Sequence, residues 1–391
     1  MARAREKVGL WIVGACGGVA TTAIVGIEAI RRRLAEPTGL IGHLPPFDRL
    51  RLAPLDAWVV GGHEIRSTTP EASARELLEE SRIFSPELLT ACRPWLRACA
   101  REIRDGTALG CGPAIEKMVE RRGSRVKLSP AGWVERLTHD ISAFQRRHKL
   151  SRVVVLNVTS TEPPLRRAAV HQKWENLQKA LARRGPSPVP ASTLYALAAI
   201  EAGAAYLNFT PSVGIDLPAV REHAESRGIA YMGADGKTGE TMMKSVLAPM
   251  FAARNLRVMS WVGHNIFGNR DGIVLDDPRN KAAKVRSKDH LVAEMLGYAP
   301  QTLVSIEYIQ SMRDWKTAWD HIHFEGFLGT PMVLQFIWQG CDSILAAPLA
   351  IEMARFAERA MRDGHVGPLR HLACFFKSPI DVKEQGFARQ Y

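Results

Sequence analysis

Three stretches of the chain hold residues whose types and spacing could do chemistry. The first is Gly14-x-x-Gly17-Gly18, which follows a short apolar run and opens a helix-like segment. Glycines there let the backbone approach a pyrophosphate, and a helix N-terminus offers free N–H groups and the positive end of its dipole. The match to the dinucleotide fingerprint is incomplete, because Cys16 stands where the second glycine would be. The ribose-binding acid expected about 20 residues further on is also missing. Glu64, after the second apolar run, is a displaced candidate. The second stretch is Gly233-Ala-Asp-Gly-Lys-Thr-Gly-Glu-Thr241. It contains Gly-Lys-Thr, but Tyr231 occupies the place of the first P-loop glycine, which excludes an ATP- or GTP-binding loop. Its backbone amides can still hold a single phosphate. The third, Asn265-Ile-Phe-Gly-Asn-Arg-Asp-Gly272, reads as a polar turn. Lys284 and Lys288 beyond it share one face if their segment is helical. On spacing alone that is a solvated face, and Lys316, Asp342 and Lys377 carry no local signal of their own.

The elements that must position these residues alternate. Apolar runs at 8–14, 57–62, 152–158, 206–209 and 228–232 read as buried strands, with helical patterns between them. Helices are expected over 71–121, from about 166 to 184, and from Ser192 to Ala202, where Gly203 stops the last. This alternation predicts a Rossmann-like, doubly wound parallel α/β sheet. Ligands of such sheets sit outside the carboxyl ends of the strands. The Gly-, Thr- and Asn-rich stretches fall at those ends. After about residue 242 the pattern changes to a helix from Thr241 to Arg254, a strand at 257–262, a polar loop at 263–280 and a strand at 302–309. An inserted α+β domain over 242–345 is expected. The dinucleotide-binding domain, 1–241, is then completed by 346–391, beginning with a helix from about Ser343 to Arg362.

Composition narrows the function classes. The chain has 391 residues, 46% of them apolar, and a formal charge of +12. No apolar run reaches the roughly 18 residues needed to span a bilayer. The arginines are scattered along helices without interleaved aromatics, so no nucleic-acid module is read. The six cysteines form no CxxC pair and no zinc spacing, which predicts free thiols in a cytoplasmic protein.

Several segments together resemble the myo-inositol-1-phosphate synthase family. They are Pro190-Ala-Ser-Thr-Leu-Tyr-Ala, Tyr206-Leu-Asn-Phe-Thr-Pro-Ser212, the 233–245 stretch, Gly263-His-Asn-Ile-Phe-Gly-Asn-Arg-Asp-Gly272, Lys284-x-x-x-Lys288, Asp314-Trp-Lys316, Asp342-Ser-Ile-Leu-Ala-Ala-Pro348 and Phe376-Lys-Ser-Pro379. They occur in the family's order from about residue 8 to 380, and the length is like that of short prokaryotic members. The resemblance implies an isomerase with a bound NAD that is regenerated in each turnover. The implied substrate is a hexose 6-phosphate, closed into a cyclitol phosphate by oxidation at carbon 5, enolisation at carbon 6, aldol attack on carbon 1 and reduction. It also implies a homotetramer built through the inserted domain.

Carried over by motif, Lys284, Lys288, Lys316 and Lys377 form a lysine cluster with Asp342 beside it. Fixed cations stabilise enolate and alkoxide more than the neutral ground state, and crowded lysines exchange protons near neutral pH. The resemblance gives Lys284 and Lys377 the proton transfers, and Lys288 and Lys316 the phosphate or enolate. Thr238, Gly239, Glu240 and Thr241 would hold the phosphate, and Asn265 and Asn269 the sugar. Gly14, Gly17, Gly18, Ser160, Ser212, Asp235 and Asp271 would line the dinucleotide or a monovalent or divalent cation beside it. The chain departs from the family pattern at Arg270, at Glu240 where many members have Gln, at Met242 where Lys is common, and at 157–162, where Asn-Val-Thr-Ser-Thr-Glu only approximates the family's Asn-Thr-Glu. The rival readings are a net sugar-phosphate oxidoreductase of the same fold, a cyclase tuned to another sugar phosphate, and a non-catalytic sensor.

Overall fold

A computed structural model describes residues 6–183, 185–275 and 291–391. Lys284 and Lys288 lie outside the described residues. The N-terminal part runs β1 (Val8–Val13), α1 (Gly18–Arg31), β2 (Trp58–Glu64), α2 (Pro70–Ser81), α3 (Pro86–Ala100), β3 (Ile103–Asp105), α4 (Pro113–Glu116), α5 (Pro130–His148), β4 (Arg152–Asn157), α6 (Trp174–Leu181), α7 (Ala191–Glu201), β5 (Ala205–Asn208), α8 (Pro218–Ser226) and β6 (Ala230–Gly233). These strands, with β11 (Gly367–Pro368), make a seven-stranded parallel sheet in the order β11-β6-β5-β4-β1-β2-β3. The expected doubly wound α/β fold is present. Its central strands are apolar on both faces because helices cover both. All six residues of β1 are buried, and Ile12, Val155 and Leu207 are fully so or within 1% of it. Each such side chain contributes about 1.5–3 kcal/mol on burial.

Helix starts follow a repeated local rule. Thr69, Ser85 and Ser129 each cap a helix whose first residue is proline, accepting from Ala72, Leu88 and Gly132 N–H respectively. A hydroxyl at the cap and a ring with no N–H at the next position both relieve unpaired donors.

The second sheet is mixed. It contains β7 (Arg257–Phe267), β8 (Gln301–Tyr308), β9 (Trp315–Glu325) and β10 (Pro331–Cys341), in the order β10-β9-β7-β8. β7 and β8 are parallel, and the other neighbours antiparallel. α9 (Gly239–Ala253) packs against this sheet. A helix over Asp342–Arg362 then carries the chain back along α1.

Four expectations are corrected. Gly263–Phe267 is strand, not loop: it pairs with β8 on one side and β9 on the other, and its side chains alternate between buried and open positions. The 263–280 stretch also contains a short helix, Arg270–Leu275. No helix spans 166–184; Pro163 and Pro164 lead an extended segment, and only Trp174–Leu181 is α-helical. The helical reading of 71–121 missed β3, and the β9–β10 hairpin went unread.

Candidate active site

A cavity of about 450 Å³ opens at the carboxyl ends of the parallel strands, between the two sheets. Its floor is the β1–α1 turn. Gly14 has φ +83, a conformation an L side chain resists, and a Cβ there would crowd Thr159 at 3.3 Å. Its N–H donates to the His63 carbonyl at 2.9 Å. Gly17 precedes α1, whose N-terminus carries no side-chain cap and no acid in its first turn. Gly17, Gly18 and Val19 all line the cavity. Uncapped N–H groups facing a cavity suit a pyrophosphate, so this floor fits NAD. Cys16 takes part only through its backbone: burial, then Glu64, pushes the thiol up to about 12.

Glu64 lines the cavity, but its carboxylate also builds the turn. It accepts from Cys16 N–H at 3.0 Å and pairs with Arg66 at 3.1 Å. Two asparagines end neighbouring strands in register, Asn157 on β4 and Asn208 on β5. Asn157 donates to Asn208 Oδ1 at 3.1 Å, and each side-chain oxygen accepts from a threonine two residues on, Thr159 and Thr210. These bonds hold the loops that carry Ser160 and Ser212. Ser160 lines the cavity; Ser212 is buried beside it, its hydroxyl accepting from Glu162 N–H at 3.0 Å.

The opposite wall gathers side chains from distant segments. Lys377 Nζ donates to Asp235 Oδ1 at 2.8 Å, with both residues buried. The loop beyond β6 is pinned on two sides: Asp235 N–H donates to Thr210 O, and Lys377 N–H to Asp235 O. Lys316 starts β9, opposite Phe267 of β7 and Gly340 of β10. Its ammonium lies 4.0 Å from Asp342 and 5.4 Å from the Phe267 ring centroid. Asp342 opens the returning helix, and Asn269 donates to it and to Asp314, each at 3.4 Å. Asp271 and Thr238 complete this wall.

Of the sequence candidates, Gly14, Gly17, Gly18, Glu64, Ser160, Asp235, Asp271, Thr238, Asn269, Lys316, Asp342 and Lys377 line one cavity. Gly239, Glu240, Thr241 and Asn265 do not: the first three are buried in the first turn of α9, and Asn265 is buried on β7. Glu240 pairs with Lys244 at 2.6 Å on the same helix face, and Lys244 lies 3.8 Å from Asp320. Asp314 and Glu162, to which the sequence reading gave no role, also line the cavity. Asp314 accepts from Ser343 N–H at 3.1 Å, and burial, then Asp342, raises its pKa. Its signal was its place in Asp314-Trp-Lys316. Among the described residues no cluster of three metal-ligating side chains occurs, and no helix is long and apolar enough to cross a membrane. All six cysteines are free.

Comparison with known proteins places this cavity in context. Residues 42–391 match the family model of myo-inositol-1-phosphate synthase, an NAD-binding family. Inositol-3-phosphate synthase 1 of Bacteroides thetaiotaomicron is 34% identical across 96% of this chain and 90% of its own. The fold is that of inositol-3-phosphate synthase from Caenorhabditis elegans, with a TM-score of 0.88 at 23% identity over 99% of this chain and 84% of that one. A myo-inositol-1-phosphate synthase-related protein of Thermotoga maritima gives a TM-score of 0.80 at 23% identity, over 99% and 97%. A match to the family model over residues 42–391, and a relative 34% identical across 96% of the chain, decide the matter: the chain belongs to the myo-inositol-1-phosphate synthase family.

Proposed function

We propose that the chain is an NAD-dependent isomerase that converts D-glucose 6-phosphate to 1D-myo-inositol 3-phosphate. The observation that carries this reading is one cavity with two lysine–aspartate pairs on one wall and an uncapped glycine turn on its floor. Gly14, Gly17 and Gly18 would hold the pyrophosphate, with Glu64 and Arg66 toward one ribose and Ser160 toward the other half. The chemistry a bound NAD supplies is reversible hydride storage, so that the sugar is a ketone at carbon 5 only while the ring closes. Thr238, which lines the cavity just before α9, would hold the substrate phosphate at the end of a helix that no side chain caps. Asn269 would orient sugar hydroxyls.

Lys377 Nζ, held by Asp235, would move the proton at the carbon 5 oxygen. Lys316 Nζ, beside Asp342, stabilises negative charge on the enolate and on the alkoxide formed at carbon 1. Preorganised cations in a site that excludes water favour such charge over the neutral sugar. The proposed parts of Lys284, in proton transfer, and Lys288, on the phosphate, rest on the family resemblance. A monovalent or divalent cation beside Asp271 belongs to the same reading. Exposed Leu303 on β8 and Val333 and Ile337 on β10 suit burial against further copies, which supports a homotetramer; light scattering at a mass other than four protomers would remove that part.

The test is incubation with D-glucose 6-phosphate and a trace of NAD. Cyclitol phosphate formed in excess over NAD is expected. NADH formed in step with an oxidised sugar, and no cyclitol, would make the chain an oxidoreductase. Cyclisation of a different hexose phosphate alone would change the substrate, and absence of any turnover would leave a sensor.

A further inference from the structure

The cavity wall contains a buried carboxylate that the reaction above does not use. Glu162 follows β4, lines the cavity and is only 3% exposed. Its Oε1 accepts from the Ser192 N–H at 2.8 Å and the Cys111 thiol at 3.1 Å, and its Oε2 accepts from the Ser192 hydroxyl. Gly214 N–H donates to the same Ser192 oxygen at 3.1 Å, which leaves the hydroxyl proton for the carboxylate. Every partner is a donor and none is charged. Such a set fits a carboxylate anion, while burial pulls the other way and raises its pKa. Withdrawing an anion from water without a counter-charge is costly. A cationic group in the adjoining cavity would offset that cost.

The sheet order says which group would lie there. β4 flanks β1 on the side away from β2. A dinucleotide lies across the carboxyl ends of such strands. With its pyrophosphate over the glycine turn and one ribose toward β2, its other half falls over β4 and β5. The nicotinamide ring is a cation when oxidised and neutral when reduced. Resting on the NAD reading of the cavity, we propose that Glu162 is the counter-charge of the oxidised nicotinamide ring and biases the protein toward NAD over NADH. An enzyme that must begin each turnover with an oxidation is then poised in the right redox form.

The experiment compares dissociation constants for NAD and NADH by calorimetry, on nucleotide-free wild-type protein and on Glu162→Gln. Glutamine keeps the shape and an acceptor oxygen but removes the charge. The NAD-to-NADH affinity ratio is expected to fall by on the order of tenfold. Equal weakening of both forms, or no change, overturns the proposal and leaves the NAD reading standing. Failure of the wild-type protein to bind either form overturns that reading itself. Cys111→Ala disturbs the same carboxylate but keeps its charge, so it should leave the ratio unchanged; a shift as large as that of Glu162→Gln overturns the proposal. Thermal stabilisation by potassium or ammonium that Glu162→Gln abolishes would assign the carboxylate to an inorganic cation, again overturning it. One measurement needs no variant. The wild-type protein should bind the 1-methylnicotinamide cation more tightly than neutral nicotinamide, and the reverse order counts against the charge.

Discussion

The two described lysine–aspartate pairs of the cavity are built differently. Lys377 and Asp235 meet at 2.8 Å with side chains 7% and 5% exposed, each pinned by a backbone bond between their own loops. Lys316 and Asp342 stand 4.0 Å apart with side chains 16% and 25% exposed, at the junction of β9 and the returning helix. The first pair is fixed before any ligand arrives. The second leaves its ammonium able to turn toward an anion. A proton-transfer group gains from a fixed position, whereas a cation that meets charge only as it develops gains from room to approach it.

Replacing one lysine at a time breaks this comparison if both lysines matter equally. Lys377→Ala should lower kcat by about 10⁴-fold, the upper range for a general acid–base group. It should also cost stability, because a buried charge pair loses a partner. NAD binding should persist, and near-normal turnover would remove Lys377 from the mechanism. Lys316→Ala should lower kcat by about 10²-fold. Its melting temperature should barely move, since the pair is loose and partly open to water. Steady-state rates and thermal melts on both variants give the contrast directly; equal loss of stability in both would mean that the difference in geometry has no energetic content.

The floor of the cavity supplies the next contrast, since it is made of backbone. Gly14→Ala puts a side chain at φ +83 and against Thr159. It should weaken NAD about tenfold and cost about 1–2 kcal/mol of stability, with kcat at saturating NAD little changed. A loss of kcat with intact NAD affinity would contradict a purely cofactor-holding floor.

What the sequence made legible divides along the same line. The glycine turn could be read locally, because a tight strand-to-helix turn imposes residue types at fixed spacing. The parallel strands could be read because burial on both faces demands unbroken apolar runs. Lys316, Asp342 and Lys377 could not be read that way. They meet through the ends of antiparallel neighbours and a returning helix, and nothing local marks such a meeting; only the ordered family motifs did. Asn265 misled for the opposite reason. Its surroundings are polar, as in a loop, but it is fully buried on a strand paired on both sides. Glu240 was read as a phosphate neighbour, and no local pattern warned that Lys244 would hold it.

Lys237 sharpens the comparison, because it lies behind the tighter pair. It is 2% exposed and donates to Gln390 at 2.6 Å. Burial lowers its ammonium to about 8, with the charge of Lys377 acting in the same direction. An ordinary lysine titrates near 10.5. Between those values the unfolded chain binds more protons than the folded one, so this site makes stability rise with pH. Below about pH 8 both states are protonated and the contribution is flat. From about pH 8 to about pH 9 the gain should be about 1 kcal/mol. Lys237→Met should remove that rise while leaving Lys377 on Asp235. Denaturant melts of both proteins at the two pH values would show it. An unchanged slope in the variant would mean that Lys237 keeps an ordinary pKa, and that the loop beneath Lys377 is wetter than its burial indicates.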